Sequence, residues 1–250
     1  MFGPGIRIEK VFPRVRALFG GQFIVDSSQA RFVWAPESLI PEYHFRIDEL
    51  PSKYLSNEIK SAEYTTYTIQ VREAKTKENA LKVYHTGPLQ GLFTIEFKAV
   101  DAWFEEDEQV FSHPKDPYHR VDVLHSSRDI CIKVDGVEIA RTSRPLLVLE
   151  TNLIPRFYVP LADCHLDLLT PSDLKTGCPY KGEANYFHIQ ATTSAPLREN
   201  LAWFYRAPNL ECASIRGYVC FYDEHLDVWL DGVKQPRPAS FVSIPVNEGR

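Results

Sequence analysis

The strongest constraint on this 250-residue chain is that it repeats itself. The segment GGQFIVDSSQARFVWAPESLIPEY (Gly20–Tyr43) aligns with DGVEIARTSRPLLVLETNLIPRF (Asp135–Phe157) once a single gap is allowed. YTIQVREAKTKENALKVYHTGP (Tyr67–Pro88) then matches FHIQATTSAPLRENLAWFYRAP (Phe187–Pro208), and GLFTIEFKAVDAW (Gly91–Trp103) matches GYVCFYDEHLDVW (Gly217–Trp229). The matches keep their order, so the fold must be one that can be built twice. The implied organisation is an N-terminal lead (1–12), a first repeat (13–112), a polar, proline-punctuated linker (113–126), a second repeat (127–235) and a C-terminal tail (236–250).

Each repeat reads as β-strands. RVRALFGG, ARFVWA, TYTIQV and LFTIEF are short, rich in β-branched or aromatic residues, and bounded by turn residues. DICIKVDGVEIA, PLLVLE, YFHIQA and GYVCFYDEHLDVWLDGV repeat the theme. Asp135-Gly136 and Asp231-Gly232 mark hairpins, because glycine accepts the positive φ such turns require. Helical periodicity is weak, with short pieces expected near DELPSKYLSNEI and ADCHLDLL. The expected fold is all-β with short helical insertions, in two similar halves packed against each other.

Composition narrows the functions. Apolar residues make up 44% and charged residues 24%, as in ordinary soluble domains. Net charge is −5 with no basic run, so no nucleic-acid partner is expected. No apolar stretch approaches the roughly 20 residues of a membrane-spanning helix, and MFGPGIRIEKVF lacks the marks of a signal peptide. The five cysteines are odd in number and irregularly spaced, which points to free thiols and a cytoplasmic protein, monomeric or homodimeric. Phosphate-binding glycine loops and a nucleophile elbow are missing from the sequence. The acidic run Phe104–Glu108 reads as a charged edge strand rather than a cation site. His113, His119 and His125 lack zinc-ligand spacing, and Cys164, His165 and Cys178 lack a fourth ligand. HPKDPYHR reads as a clip between the halves through Asp116, Tyr118 and Arg120. Neither a metal nor an organic cofactor is expected.

The repeats differ where the chemistry is richest. The second has LLTPSDLKTGCPYKGEANYF where the first has the shorter LSNEIKSAEYTTY, and Arg156 where the first has Glu42. That contrast suggests a single site in the second repeat and a first copy reduced to scaffold. Cys178, beside Lys181, reads either as a nucleophile with His165 or His188 as base, or as an inert packed thiol. Arg156 and Tyr158 share one strand face, and Arg156 with Lys181 would form an anion-binding corner. Glu150 would pair with either cation, or act as general base if burial raises its pKa. Tyr180, Tyr186, Trp203 and Tyr222 are the candidate pocket walls.

VWAPESLIPEYHF, VDAWFEEDEQVFSHPKDPYHRVDVLHSSR, LETNLIPRFYVPLADCHLDLLTPSDLKTGCPYKGEANYF and ENLAWFYRAP with GYVCFYDEHLDVWLDG resemble the domain of unknown function 427 family, in particular its tandem members. The resemblance spans about residues 13–235 and implies small, mostly β domains around a strongly bent sheet. The family is catalogued under a nucleotidyltransferase-like label, yet the paired-aspartate signature expected of metal-dependent nucleotidyl transfer is not in this sequence. The expected function is therefore a cofactor-independent small-molecule enzyme of the isomerase, cyclase or lyase type, acting on an anionic or carbonyl-containing ligand. A non-catalytic small-ligand binder and a structural or interaction protein are the alternatives.

Overall fold

The computed structural model describes residues 5–36, 38–76 and 78–238. The chain divides into two units between Pro117 and Tyr118. In the first, the strands are β1 (Arg7–Lys10), β2 (Val15–Phe19), β3 (Gln22–Ser27), β4 (Arg31–Trp34), β5 (Glu42–Arg46) and β6 (Leu55–Lys60). They are followed by β7 (Tyr64–Val71), β8 (Ala74–Lys75), β9 (Leu81–Tyr84), β10 (Leu92–Ile95), β11 (Ala102–Glu105) and β12 (Glu108–Val110). In the second unit they are β13 (Val121–His125), β14 (Ile130–Val134), β15 (Val137–Thr142), β16 (Leu146–Glu150), β17 (Arg156–Pro160) and β18 (Leu169–Cys178). β19 (Gly182–Ile189), β20 (Arg198–Tyr205), β21 (Tyr218–Phe221), β22 (Asp227–Leu230) and β23 (Val233–Lys234) complete it.

Each unit holds a large and a small antiparallel sheet. The large sheets run β1-β4-β5-β10-β9-β7-β6 and β13-β16-β17-β21-β20-β19-β18, with β8 added beside β7. The small sheets run β12-β11-β2-β3 and β15-β14-β22-β23. Matching strands by position in the chain makes the two orders the same. The protein is mainly β, as its alternating segments predict.

Side chains alternate across each strand, so each large sheet turns one face to its small sheet. In the first unit Tyr43, Phe45 and Phe93 meet Val15, Ala17, Val25 and Trp103 in one buried cluster. In the second, Val159, Ile189, Ala202 and Phe221 meet Ile130, Ile132 and Ile139. Burying side chains of this size contributes roughly 1.5–3 kcal/mol each, so these two clusters dominate the stability of their units. Among the described residues, the second unit alone has a large apolar cluster on the other face of its large sheet, formed mainly by Leu146, Val148, Tyr158, Tyr186, Tyr205, Cys212, Ile215 and Cys220.

The Asp-Gly pairs close hairpins as expected, with φ of 49° and 84° at Asp135-Gly136 and 51° and 80° at Asp231-Gly232. The helical pieces are short 3-10 turns at Ile47–Glu49, Ser52–Tyr54, Leu161–Asp163 and Leu166–Leu168. Several boundaries move. Part of the expected lead forms β1 against β4, and residues 121–125 of the expected linker form β13 against β16. Within the second unit Arg120 pairs with Asp122, its amide donates to the Thr151 hydroxyl at 2.9 Å, and its carbonyl accepts from the Thr151 amide at 3.1 Å. The Phe104–Glu108 run is a hairpin, where Arg16 meets Asp107 and the Arg14 amide meets Glu106. Residues 1–4 of the lead and 239–250 of the tail lie outside the described residues.

Candidate functional site

The face of the large sheet turned away from the small sheet carries the polar chemistry. Strand register fixes which residues correspond. Val148 pairs with Arg156 in β16–β17, and Val33 with Glu42 in β4–β5, so Arg156 stands where the first unit has Glu42. By the same logic Tyr158 replaces His44, Trp203 replaces Lys82, and Cys220 replaces Thr94. Tyr222 and Glu150, one step along, fall on the positions of Glu96 and Ala35.

CPYKG is the tip of the β18–β19 hairpin, which closes on the Cys178–Gly182 pair. It is not a free loop. The Asn209 amide donates to the Lys181 carbonyl at 3.1 Å and its Nδ2 to the Pro179 carbonyl at 2.9 Å. Cys212 Sγ lies 3.7 Å from the Tyr180 carbonyl. Gly182 has φ +100°, and a Cβ there would meet the Ala207 carbonyl at 3.1 Å. The clamping residues precede and enter the 3-10 segment Leu210–Ile215. In the first unit the corresponding β9–β10 connection is shorter and contains only Gly87–Leu89 as a 3-10 turn. The longer hairpin and the longer connection thus come as a matched pair.

The clamp places Lys181 in the protein interior. Its ammonium donates to Glu150 Oε1, and both side chains are below 10% exposed. His119 Nε2 sits 3.6 Å from the other Glu150 oxygen, just beyond hydrogen-bonding range, and its ring stacks on Tyr180 at 3.8 Å. Burial opposes ionisation of Glu150, but His119 and Lys181 outweigh it and hold the carboxyl below its usual range. Of the two readings offered for Glu150, the geometry shows the ion pair with a cation, and two adjacent basic groups decide the sign of its pKa shift.

Arg156 is held separately. Its NH1 and NH2 donate to Glu224 at 2.9 and 2.5 Å, and NH1 is 3.8 Å from Asp223. The guanidinium lies over the rings of Trp203 (5.5 Å) and Tyr222 (6.0 Å), which pack on each other at 4.5 Å. Burial pushes Asp223 up to about 6 despite Arg156, with Glu224 adding to the rise. Arg156 and Lys181 therefore do not form one bare cationic corner; each has its own carboxylate. Both nevertheless line a cavity of about 270 Å³, together with Glu150, Trp203, Tyr222 and Glu224.

The other expected site residues lie around this cavity rather than in its lining. Tyr158 is buried beneath Trp203, whose indole donates to the Tyr158 hydroxyl at 3.2 Å. Tyr186 is buried and bonded to Thr176 at 2.8 Å, and Tyr180 faces His119. Cys178 ends β18 and packs against the apolar cluster on this face. One of its suggested bases is engaged elsewhere: His188 Nδ1 accepts from the Asn200 amide. Among the described residues no group of three or more His, Cys, Asp or Glu is placed to hold a metal ion. Glu224, Asp223 and the pairing of His119 with Glu150 were not visible in the sequence. The one available signal was YDEH, whose acids follow directly on Tyr222.

The first unit, expected to be scaffold alone, has a cavity of about 390 Å³ at the corresponding place, lined by Glu42, Lys82, Tyr84, Thr94 and Glu96 among others. Ile40 and Pro41 border it as Ile154 borders its counterpart.

No curated protein matches the chain. Residues 122–232, which include every residue lining the second-unit cavity, match the model of the family described as domain of unknown function (DUF427).

Proposed function

We propose that the second unit is a cofactor-independent small-molecule enzyme of the isomerase, cyclase or lyase type. The observation that carries this reading is a buried ammonium with donors to spare. Lys181 has three N–H groups, gives one to Glu150, and lines a cavity walled by Trp203 and Tyr222. A ligand carbonyl or carboxylate in that cavity would take the remaining donors. Arg156, fixed by Glu224, would hold a second polar group. Lys181 would stabilise negative charge developing on a carbonyl oxygen, while Glu150 accepts the proton from the adjacent carbon. Returning that proton to a different carbon gives isomerisation, and expelling a leaving group gives elimination. The low pKa of Glu150 makes it a weak base, and this favours the second reading, a binding protein using the same cavity without turnover.

We also infer that the first unit is a diverged second copy of the family domain, supported by its repeated strand order. The five free cysteines support a reducing, cytoplasmic setting, and no described helix is long and apolar enough to cross a membrane.

The test is to incubate the wild type, Glu150→Gln, Lys181→Met and Arg156→Met with a metabolite extract, following turnover and bound ligand together. An enzyme requires turnover in the wild type and its loss in Glu150→Gln with ligand still bound. Bound ligand without turnover selects the binder. Folded variants that change neither would overturn the site.

A further inference from the structure

The first-unit cavity differs from its counterpart in how its charges are satisfied. In the second unit, Lys181 and Arg156 each have a carboxylate partner. In the first, Lys82 and Glu96 line the cavity, and neither makes an ion pair or side-chain hydrogen bond among the described residues. Lys82 Nζ lies 4.6 Å from the Tyr64 ring centre and 5.8 Å from that of Tyr84. Lys82 pairs with Thr94 in the β9–β10 register, so Glu96, two residues on, is its diagonal neighbour on the same face.

Continued one pair beyond the end of the β5–β10 ladder, the same register brings two carboxylates to one end of the sheet. His44 opposes Thr94, so Glu42 falls across from Glu96. A hydrogen bond from His44 holds Glu42 below its usual pKa, with burial opposing and Lys82 assisting. Like charges directly opposite are unfavourable in a sheet unless a cation lies between them. In the second unit this position pair is Arg156 and Tyr222, a favourable cation–aromatic contact. The first unit has replaced it with a pair that calls for a positive ligand group, next to an ammonium that calls for a negative one.

Both requirements are met by one molecule. We propose that the first unit binds a free amino acid with an aromatic side chain, its ammonium between Glu42 and Glu96 and its carboxylate on Lys82. Tyr84 and Phe97 supply ring walls for the side chain. The cavity, at about 390 Å³, lies in the range that holds small metabolites. The site would be separate in chemistry from that of the second unit and need no turnover there.

Calorimetric titration of the full chain tests this with L-phenylalanine, phenylalaninamide, which lacks the carboxylate, and N-acetylphenylalanine, which lacks the ammonium. Each truncated form is expected to bind the wild type about tenfold or more weakly, the loss of one charge-assisted contact. Lys82→Met should erase the preference over the amide, and Glu96→Gln the preference over the N-acetyl form. Both side chains are at least partly exposed, so the variants should keep the wild-type melting temperature. Arg156→Met should leave both preferences intact. The proposal fails if phenylalanine gives no heat at millimolar concentration, if both preferences survive in the variants, or if Arg156→Met abolishes them.

Discussion

The two cavities sit at corresponding positions on the same sheet order but solve the problem of polar groups at a protein surface in opposite ways. The second unit draws its charges inward and pairs each one: Lys181 with Glu150, Arg156 with Glu224. It can do so because a longer hairpin and a longer connection cover that face with Tyr186, Cys212 and Ile215. The first unit lacks both, and the charged residues on the same face, Glu42, Lys82 and Glu96, remain partly or largely exposed. Coverage came with internal pairing, because an unpaired charge under an apolar cover would be strongly destabilising. The shorter unit has no such requirement: Glu42 is bonded to His44, while Lys82 and Glu96 keep their charges uncommitted among the described residues.

This contrast can be broken by mutation, and the largest effect should come from the covered pair. Lys181→Met leaves Glu150 buried without its ammonium, and should cost about 3–5 kcal/mol in urea denaturation. Adding Glu150→Leu should recover most of that loss; if it does not, Lys181 acts through packing rather than charge. Next comes Gly182→Ala, which places a methyl against the Ala207 carbonyl at positive φ. It should destabilise by about 2–3 kcal/mol. Gly91→Ala, in open space in the first unit, should cost about 1 kcal/mol. Equal effects would mean the clamp contributes nothing.

Two carboxylates, one in each unit, carry pH dependence of opposite sign. Asp223 has a folded pKa raised to about 6, so the folded state holds its proton more tightly and stability falls as pH rises from about 4 through about 6. Asp223→Asn should remove a component of roughly 1–3 kcal/mol over that window. Glu42, whose pKa is lowered, acts the other way, contributing stability that is lost as the pH falls below the usual carboxylate range. Glu42→Gln should flatten that acid limb. The smallest effect belongs to Lys82→Met, which should stay within about 0.5 kcal/mol; a larger loss would show that Lys82 is structurally committed after all.

Much of the fold could be read from the sequence, for identifiable reasons. Alternation marks strands such as β7 and β19, and Asp-Gly pairs fix two hairpins regardless of tertiary context. β13 was hidden because VDVLH follows a polar, proline-rich run and pairs with β16 more than twenty residues away. For the site, subtracting one repeat from the other isolated Lys181 and Arg156, Glu150 entered as a partner for either cation, and the structure brings all three to one cavity. The same subtraction missed Glu224 and Asp223, since ion-pair partners depend on how strands are set side by side. It also missed the first-unit cavity. Comparing repeats highlights what one copy gained, and Glu42, Lys82 and Glu96 look like ordinary strand polars until register puts them together.

One consequence of the Asn209 clamp concerns proteolysis. Hairpin tips are where proteases usually take hold, since cleavage needs several residues to pull free of the surface. Pro179, Tyr180 and Lys181 cannot do this while their carbonyls are engaged by Asn209 and Cys212. The matching tip in the first unit, Ser61 to Glu63, is exposed throughout and follows an exposed Lys60. A brief trypsin digest of the native chain would therefore nick the first unit at its tip and leave the CPYKG hairpin whole.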